Sequence, residues 1–509
     1  MVEERFDAVV IGSGLGGLTA AALVARAGRR VLVLERNPGI GGAATVYRHG
    51  ALTIEASLHA LDGLDPQDPK TPLFAALGLD HGLDYVEPAE LYEVRGGPVG
   101  APFTLPAGPE AALSACIARF PRHENALRRY IDAVLAVRSG ATVLTAHMDE
   151  PGWWLRHLPE AATRLWPLIR HARATVGDVL RGLFGADEAV KCALAAALPY
   201  YHDDPERMLF LAYAVAQGSF LAGGGHYLRG GSRTLSAQLA ARVEEAGGRI
   251  ETDREAFHLV VDRQRIAGVA HRRRGGNDVR KALAPVVFGN AAPAVLAGML
   301  PEAWQGPFAA PYARRPISVS LWTVALGLSE PAARFGLRAY ETILLPSWMT
   351  TLADYRQATA VLADPDGDRL PPMILADYGR IDSGLNEGPP HLVTLCGMDR
   401  LANWDGLDEA TARRRRESWM DRLVAALDAE FPGLARAVTQ REMATATTMQ
   451  AYLNTPGGAV YGFAPETLLR SPATAVPGLY LASAWAAGGG YTGAMLGGAM
   501  AARLALRGG

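Results

Sequence analysis

Three glycines near the amino terminus have the spacing of a phosphate-binding turn. Gly12, Gly14 and Gly17 follow the apolar run 6–11 and open an Ala- and Leu-rich segment of helical composition. In such a turn the first glycine permits a tight bend, the second lets the backbone approach a pyrophosphate, and the third lets helix and strand pack closely. The spacing therefore predicts a dinucleotide site that includes these glycines and Ser13.

An acidic residue stands where a bound ribose is expected. Glu35 lies 18 residues after Gly17 and directly follows the second apolar run, 31–34. A carboxylate at that place accepts hydrogen bonds from ribose hydroxyls and repels a 2′-phosphate. The sequence therefore favours a dinucleotide whose adenosine carries no 2′-phosphate.

Two further glycine-containing segments could approach the same cofactor. The first is 36–42, and the second is 483–493, which runs into a predicted helix. If the amino terminus of that helix pointed at a flavin ring, its dipole would stabilise negative charge near N1 of the reduced flavin. Taken alone, the second segment is explained more simply by a plain strand-to-helix connection. The residues singled out are Arg36, Gly41, Gly42, Ser483, Gly490 and Gly493.

The elements that must position these residues predict an α/β fold with a parallel sheet. The runs 6–11 and 31–34 and the helical segment between them form a β-α-β unit, which requires parallel strands. Further helices are predicted over 110–120, 124–137, 161–176, 208–220, 232–246, 409–431 and 492–506. Further strands are predicted over 249–252, 257–262, 266–273, 285–288, 318–326, 391–395 and 478–482, with a hairpin turn at Arg263 and Gln264.

Composition excludes several classes of protein. The chain has 509 residues, 49% of them hydrophobic, and a formal net charge of −2, so it provides no basic field for nucleic acid. Cys116, Cys192 and Cys396 are far apart and no CxxC occurs. We therefore expect no disulfide framework, no dithiol pair and no metal site.

The sequence predicts no membrane-spanning segment. No apolar signal core precedes the first predicted strand, and the strongly apolar stretch 208–222 falls short of the ~20 residues that cross a bilayer. We therefore expect a cytoplasmic chain. Peripheral membrane contact and the oligomeric state stay open.

Five motifs, in this order, carry a resemblance to a known family. They are the segment 7–42, the pair His49-Gly50, Gly-Gly-Ser-Arg-Thr-Leu at 230–235, Gly-Gly-Ala-Val-Tyr-Gly at 457–462, and Gly-Leu-Tyr-Leu-Ala at 478–482 with its glycine turn. Together they resemble the phytoene desaturase and carotenoid isomerase family of FAD-dependent oxidoreductases, which includes retinol saturase-like proteins. The first motif is common to flavoproteins of the glutathione-reductase type, and the last two are more specific.

The resemblance implies a glutathione-reductase-type, Rossmann-like FAD-binding domain with an inserted α+β substrate domain. The FAD-binding domain would comprise 1–70, 226–300 and 466–509. The substrate domain would comprise 71–225, whose part 110–225 is helical, and 301–465.

The resemblance also assigns places along FAD. Gly12, Gly14 and Gly17 would hold the pyrophosphate and Glu35 the adenosine ribose. Arg36, Gly41 and Gly42 would lie along the cofactor, Ala256 would meet the adenine through its backbone, and the turn 488–493 would lie by the flavin. Two departures touch the flavin neighbourhood: Ser483-Ala484 replaces an acidic position, and Ile54-Glu55-Ala56-Ser57 replaces Phe-Asp-x-Gly.

Few residues are candidates for catalysis. His59, His226 and Tyr491 would lie near the flavin ring, together with Tyr227 and Trp485, and none is assigned an acid or base role. The expected activity is a desaturase, isomerase or saturase reaction, with hydride transfer at flavin N5, on a small, apolar polyene or isoprenoid-like substrate.

Two alternatives stay open. The first is a flavin amine oxidase of the same fold, although none of the three lysines (Lys70, Lys191 and Lys281) lies in a segment expected near N5. The second is a non-catalytic flavin-binding protein, which would bind FAD without turnover.

Overall fold

A computed structural model describes residues 2–147, 150–467 and 471–507. In these ranges the strands are β1 (Val2–Arg5), β2 (Ala8–Ile11), β3 (Val31–Leu34), β4 (Val46–His49), β5 (Leu52–Glu55), β6 (Leu61–Asp62), β7 (Tyr85–Val86), β8 (Glu90–Gly96), β9 (Gly100–Pro106), β10 (Gly225–Leu228), β11 (Arg249–Glu251), β12 (Arg254–Asp262), β13 (Arg265–Arg273), β14 (Arg280–Leu283), β15 (Val286–Gly289), β16 (Ser320–Leu328), β17 (Glu341–Leu345), β18 (Met373–Asp377), β19 (His391–Asp399), β20 (Val438–Ala444) and β21 (Leu479–Leu481).

The α-helices of the same ranges are α1 (Leu15–Arg26), α2 (Lys70–Leu77), α3 (Pro109–Arg119), α4 (Glu124–His147), α5 (Pro151–Arg156), α6 (Leu158–Arg170), α7 (Val176–Phe184), α8 (Glu188–Leu194), α9 (Phe210–Gly223), α10 (Arg233–Glu245), α11 (Pro293–Met299), α12 (Glu302–Ala309), α13 (Tyr355–Ala358), α14 (Glu409–Glu430), α15 (Leu434–Ala437), α16 (Ala446–Leu453), α17 (Ala484–Ala487) and α18 (Gly490–Arg507).

Five parallel strands form what we call the nucleotide sheet, in the order β11-β3-β2-β15-β21. Both β2 and β3 are buried along their whole length, as expected for apolar runs in a sheet covered on both faces. The strands come from the start, the middle and the end of the chain. This sheet confirms the predicted α/β class with a Rossmann-like parallel sheet.

The first and the last helices of the chain pack closely against each other beside this sheet. An added Cβ at Gly498 of α18 would overlap the Gly16 carbonyl of α1, and one at Gly16 would overlap the Ala482 carbonyl. Glycine is therefore required on both sides of this contact. The carboxyl-terminal segment therefore lies directly against the start of α1, while its predicted place beside a flavin stays a prediction.

A second sheet has the order β1-β14-β13-β12 and combines the first strand with three strands from the middle of the chain. It shares a buried core with the nucleotide sheet. Its β12–β13 hairpin turns at Arg263 and Gln264, whose φ angles are 44° and 64°. Two consecutive positive φ values are typical of the tight turns that match the twist of a hairpin. The predicted hairpin is confirmed.

A seven-stranded sheet, which we call the substrate sheet, has the order β20-β16-β19-β18-β17-β8-β9. The parallel pair β17–β8 joins 90–106 to 320–444, so the two predicted parts of the insertion share one sheet. The domain bounds themselves stay a prediction, and their positions 1, 148–149, 468–470 and 508–509 lie outside the described residues.

Helices α3, α4, α7, α8 and α9 share a buried core with the substrate sheet, and α6 packs against this core through Leu168. Two helix predictions are corrected here. α4 continues ten residues beyond the predicted end at Val137, and α6 ends at Arg170 instead of 176. Thr175 is the reason for the second difference, because it forms a capping box with Asp178 and thereby starts α7.

In the described part of the chain, no helix combines the length and the apolar character needed to cross a bilayer.

Candidate functional site

The turn between β2 and α1 is shaped for glycine. Gly12 has a φ of +93°, an added Cβ at Gly14 would lie 2.6 Å from the Asn290 side-chain amide, and one at Gly17 would overlap the Gly12 carbonyl. α1 begins at Leu15, directly after Gly14, so its first N–H groups have no carbonyl partner within the helix. This narrow cradle at a helix amino terminus fits a pyrophosphate.

Asn290 is a cradle residue that the sequence analysis missed. With its amide oxygen turned toward Gly14, its side chain accepts from the Gly14 N–H at 2.8 Å and donates to the Ala482 carbonyl at 3.1 Å. Its own N–H donates to the Ile11 carbonyl at 2.8 Å. A polar residue directly after the buried strand β15 was the available signal, because ligands bind at the carboxyl ends of parallel strands.

Glu35 lies at the end of β3, beside the cradle, and is 5% exposed. Its Oε2 accepts hydrogen bonds from the Ser13 N–H at 2.9 Å and from the Ser13 hydroxyl at 2.7 Å. Its Oε1 accepts from the Asn37 N–H at 2.8 Å. Three hydrogen-bond donors therefore hold the Glu35 carboxylate beside the glycine turn, where the sequence predicts the ribose end of the site.

The loop with Gly41 and Gly42 closes over the cradle. The Gly41 N–H donates to the Ser13 carbonyl at 3.0 Å, and an added Cβ at Gly42 would lie 3.3 Å from the Gly14 Cα. Arg36 points elsewhere. Its guanidinium donates to the Ala451 carbonyl and, at 3.0 Å, to the Tyr452 carbonyl in the last turn of α16.

Ala256 lies on β12, which passes beside Glu35. The Arg254 N–H donates to the Glu35 carbonyl at 2.8 Å, two residues before Ala256. Ala256 is 6% exposed and packs in the core cluster that also contains Ile11 and Leu34. The strand is therefore close to the predicted ribose end of the site.

The carboxyl-terminal turn is tied to the motif 457–462. Ser483 caps α17 by accepting from the Trp485 N–H at 3.3 Å. An added Cβ at Gly489 would lie 2.5 Å from the Tyr461 Cβ, and one at Gly493 would overlap the Gly488 carbonyl, while Gly490 has a φ of +72°. The two motifs that were most specific to the resemblance are therefore in direct contact.

Tyr491 joins this turn to a buried acid. Its hydroxyl lies 2.7 Å from the Ser57 Oγ, and the Ser57 N–H donates to Glu55 at 3.1 Å. Glu55 also accepts from the Leu58 N–H at 3.1 Å and from the Ser232 N–H and hydroxyl at 2.7 and 2.6 Å. Burial raises the pKa of Glu55 despite these four donors. The Glu55 carboxyl group thus contacts the motif 230–235 directly and the carboxyl-terminal turn through Ser57.

Tyr227 carries a buried hydroxyl that has no hydrogen-bond partner among the described residues. The residue is fully buried, and its ring meets those of Tyr378 and Tyr340 at centroid distances of 5.4 and 6.4 Å. Buried hydroxyls are rarely left unpaired in proteins. This orphan group fits a place where a bound molecule supplies the missing partner.

His59 meets side chains from two other regions of the chain. Its Nδ1 is hydrogen-bonded to the Tyr200 hydroxyl and lies 3.8 Å from the Glu341 Oε2. The Tyr340 hydroxyl donates to the His59 carbonyl at 2.6 Å, and the Tyr378 hydroxyl donates to the carbonyl of the preceding residue at 2.8 Å. Burial, followed by the Glu341 charge, raises the pKa of Tyr200. A histidine, a tyrosine and a glutamate thus form a largely buried cluster of titratable side chains, which we call the His59 triad.

A buried lysine lies one side chain away from the carboxyl-terminal turn. Lys70 is fully buried and its Nζ lies 2.8 Å from Asp68 and 3.3 Å from Asp62. The Thr492 hydroxyl donates to the same Asp62 oxygen at 2.6 Å. Burial opposes the charged form of Asp62, but Lys70 and the hydrogen bonds win and lower its pKa. The sequence analysis placed no lysine in a segment near the flavin. The structure shows that Lys70 of α2 is nevertheless connected to Thr492 of the carboxyl-terminal turn through Asp62.

His226 and Trp485 lie outside these networks. The His226 Nε2 is 2.9 Å from both the Gly63 and the Gly223 carbonyls, so its ring bonds to backbone between β6 and α9. Trp485 packs edge-on against Phe463 at 4.8 Å. The structure therefore brings His59 and Tyr491 to networks around the same segment, 55–59, and leaves the His226 ring in a separate contact.

The sequence analysis missed Tyr200, Glu341, Asp62 and Lys70 as site residues. Asp62, Asp65 and Asp68 recur at a spacing of three just before Lys70, which was a usable signal. Tyr200 and Glu341 had no such signal, because they lie 141 and 282 residues from His59.

Comparison with known proteins supports this architecture. A family model described as an NAD(P)-binding Rossmann-like domain matches residues 10–77. An oxidoreductase from Methanosarcina mazei has a similar structure, with a TM-score of 0.62 and 16% identity over 97% of this chain and 99% of that one. Cyclohexylamine oxidase from Brevibacterium oxydans gives a TM-score of 0.55 and 18% identity over 99% of both chains.

Curated relatives are similar in sequence. All-trans-retinol 13,14-reductase of Homo sapiens is 28% identical over 297 residues, which cover 57% of this chain and 48% of that protein. This chain therefore matches about half the length of the human relative. Chloroplastic prolycopene isomerase of Daucus carota is 22% identical over 505 residues, which cover 94% of this chain and 76% of that protein.

The fold and the glycine cradle define a dinucleotide-binding protein with the architecture of flavin-type oxidoreductases. Within that class, the chain is similar to all-trans-retinol 13,14-reductase and to prolycopene isomerase, so the predicted resemblance to the retinol saturase and carotenoid isomerase-like oxidoreductases is confirmed.

Proposed function

We propose that this chain is an FAD-dependent oxidoreductase that exchanges a hydride with an apolar polyene or isoprenoid-like substrate. The observation that carries the proposal is that segments from opposite ends of the chain lie together at one site. The glycine cradle and Glu35 come from the first 35 residues, and the helix that follows the turn 488–493 packs against α1 at Gly16 although it comes from the end of the chain. The names of the two curated relatives, which refer to retinol and prolycopene, support a polyene as the substrate class.

The cofactor would be held mainly by backbone. Gly12, Ser13, Gly14 and Gly17 would hold the pyrophosphate, and Glu35 would accept from the adenosine ribose. Gly41, Gly42, Ala256, Ser483, Gly490 and Gly493 would line the remainder of the site, while Arg36 would close it toward α16. When bound, FAD supplies a hydride acceptor or donor at N5 of its flavin ring.

The His59 triad would hold the proton that accompanies a hydride. When a carbon–carbon bond is saturated or desaturated, one hydride and one proton are exchanged, so a group that holds a proton is needed near the substrate. His59 and Tyr200 share a hydrogen bond, and Glu341 lies within 3.8 Å of the same imidazole nitrogen. Tyr491 would orient Ser57, and a role for His226 stays a prediction.

An amine oxidase reaction has the weaker support. Lys70 comes near the turn, but it is fully buried and forms ion pairs with Asp62 and Asp68. Its amino group is therefore not accessible to a substrate. The likeness to cyclohexylamine oxidase is at 18% identity and concerns the fold.

Anaerobic mixing of the FAD-loaded protein with polyenes would test the proposal. The oxidised and the chemically reduced protein would each be mixed with retinol-like and carotene-like polyenes, and flavin absorbance and product spectra would be recorded. We expect bleaching of the oxidised flavin or reoxidation of the reduced flavin with a matching change in the polyene chromophore. A protein that binds FAD but exchanges no electrons with any polyene would instead be a non-catalytic flavin binder, and one that takes up no FAD would overturn the proposal entirely.

A further inference from the structure

Exposed apolar side chains are concentrated in one part of the helical region. Leu155, Leu158, Trp166 and Ile169 lie within fifteen residues and are 75%, 59%, 59% and 62% exposed. Leu144, near the end of α4, is 40% exposed. We call these five residues the apolar patch. Clusters of this kind on an otherwise soluble surface mark sites of interaction.

Helix α6 carries apolar side chains on two adjoining sides, of which only one packs against the rest of the protein. At about 100° per residue, Leu158, Trp166 and Ile169 fall within an arc of about 80° on one side of the helix. Ala161 and Leu168 fall on the adjoining side, where they are buried or packed against the helical core. The side with Ala161 and Leu168 is covered by the protein, whereas the side with Leu158, Trp166 and Ile169 forms a continuous apolar face toward solvent.

Positive charge accompanies this face. Segment 150–173 contains four arginines and two glutamates, although the chain as a whole has a net charge of −2. Arg156, Arg164, Arg170 and Arg173 are all exposed, and within the described ranges none of them pairs with a carboxylate. An apolar face accompanied by exposed arginines whose charge no carboxylate offsets is complementary to an anionic lipid surface.

Two tryptophans border the patch. Trp153 is stacked between His147 and His157, with ring centroids at 3.9 and 4.6 Å, and the Trp154 indole donates to the His147 carbonyl at 2.7 Å. Both tryptophans are half-buried. Tryptophan rings with an apolar body and a polar edge are typical of membrane–water interfaces.

We propose that the apolar patch docks on the surface of an anionic lipid bilayer, with α6 lying in the plane of the interface. The proposal does not depend on the proposed reaction. α6 has 13 residues, about 20 Å, and is therefore suited to lie at a bilayer surface rather than to cross it. A second copy of the same face is a less suitable partner, because a symmetric contact would bring the arginines of both copies together.

Vesicle flotation of the full chain would test this inference. We expect it to float with vesicles that contain phosphatidylserine, to float less with phosphatidylcholine alone, and to be released in part by salt. The variant Leu155→Ser/Trp166→Ser/Ile169→Ser should lower the bound fraction about tenfold or more. The variant Leu504→Ser/Leu506→Ser is the matched control, because those leucines are 36% and 37% exposed at the far end of α18, and its binding should not change.

Several outcomes would overturn the proposal. They are the absence of flotation for the unaltered protein, equal flotation of the patch variant, and a dimer in light scattering that Trp166→Ser converts to a monomer. If a thermal melt shows that the patch variant does not fold, the conservative variant Trp166→Phe can be tested instead with vesicles of brominated lipids. These lipids should quench the tryptophan fluorescence of the unaltered protein more than that of Trp166→Phe. Equal quenching of the two proteins would exclude docking through this face.

Discussion

The two halves of the candidate site are built by different means. Around the nucleotide sheet, the cradle depends on backbone geometry, in which Gly12, Gly14 and Gly17 leave room that any side chain would fill. At the substrate sheet, buried hydroxyls and carboxyls such as those of Tyr200 and Glu341 surround His59. The first half therefore depends on the absence of side-chain volume, whereas the second depends on the chemical identity of its polar side chains. The difference indicates that substitutions in the two halves should fail in different ways.

The largest effect should come from adding one methyl group to the cradle. Gly17→Ala places a Cβ on the Gly12 carbonyl, so we expect loss of bound FAD and a fall of about 4 kcal/mol in the free energy of unfolding. Flavin absorbance of the purified protein and chemical denaturation would measure both. Gly182→Ala is the matched control, since nothing lies within 4 Å of its added Cβ, and it should be neutral or slightly stabilising. Wild-type FAD content in Gly17→Ala would contradict the contrast between the halves.

A substitution in the His59 triad should act on turnover and spare the cofactor. His59→Gln, Tyr200→Phe and Glu341→Gln should each lower turnover about 100-fold, because each removes a member of the proposed proton-holding group. FAD content and the thermal midpoint would be compared with those of His81→Gln, whose side chain is 91% exposed. Unchanged turnover with a polyene substrate would remove His59 from the chemistry.

A third test uses pH in the substrate half. Asp377 ends β18, is 2% exposed, and burial raises its pKa from 3.8 to about 6. The folded state therefore holds this proton more tightly than the unfolded state, so stability from this group is present at low pH and is lost as pH rises from about 4 to 6. The full difference is up to about 3 kcal/mol.

Asp377→Asn should consequently raise the free energy of unfolding at pH 7 by about 2 kcal/mol and flatten its decline between pH 4 and 6. The asparagine oxygen can still accept from the Gly379 N–H, now 3.0 Å from the carboxyl group. Denaturant titrations across this pH range measure the effect. An unchanged slope would show that another group titrates there.

The smallest effect should come from the predicted ribose partner. Glu35→Ala should weaken FAD binding about tenfold, or ~1.4 kcal/mol, because it removes a hydrogen-bond acceptor and frees Ser13. Equilibrium dialysis of the apoprotein measures the affinity, and Glu110→Ala at the exposed start of α3 serves as the control. Equal affinity for Glu35→Ala and Glu110→Ala would place Glu35 outside the site.

Much of the nucleotide half was predictable because its requirements are local. The spacing of the glycines, the strand before them and the acid after β3 lie within 35 residues of the amino terminus, and the hairpin at Arg263 and Gln264 was also predicted correctly. The end of α6 was not, because Thr175 begins a new helix within a segment of continuous helical composition.

The sequence alone determined where the backbone must bend and approach closely, since glycine at 12, 14 and 17 is needed for local sterics that hold in any fold containing this turn. Only the tertiary structure decided which side chains meet His59, and that Lys70 lies beneath Thr492 by way of Asp62. Hydrogen bonds among buried side chains depend on how distant elements pack. Tyr200 and Glu341 become partners of one imidazole only when the helical region and the substrate sheet close around it.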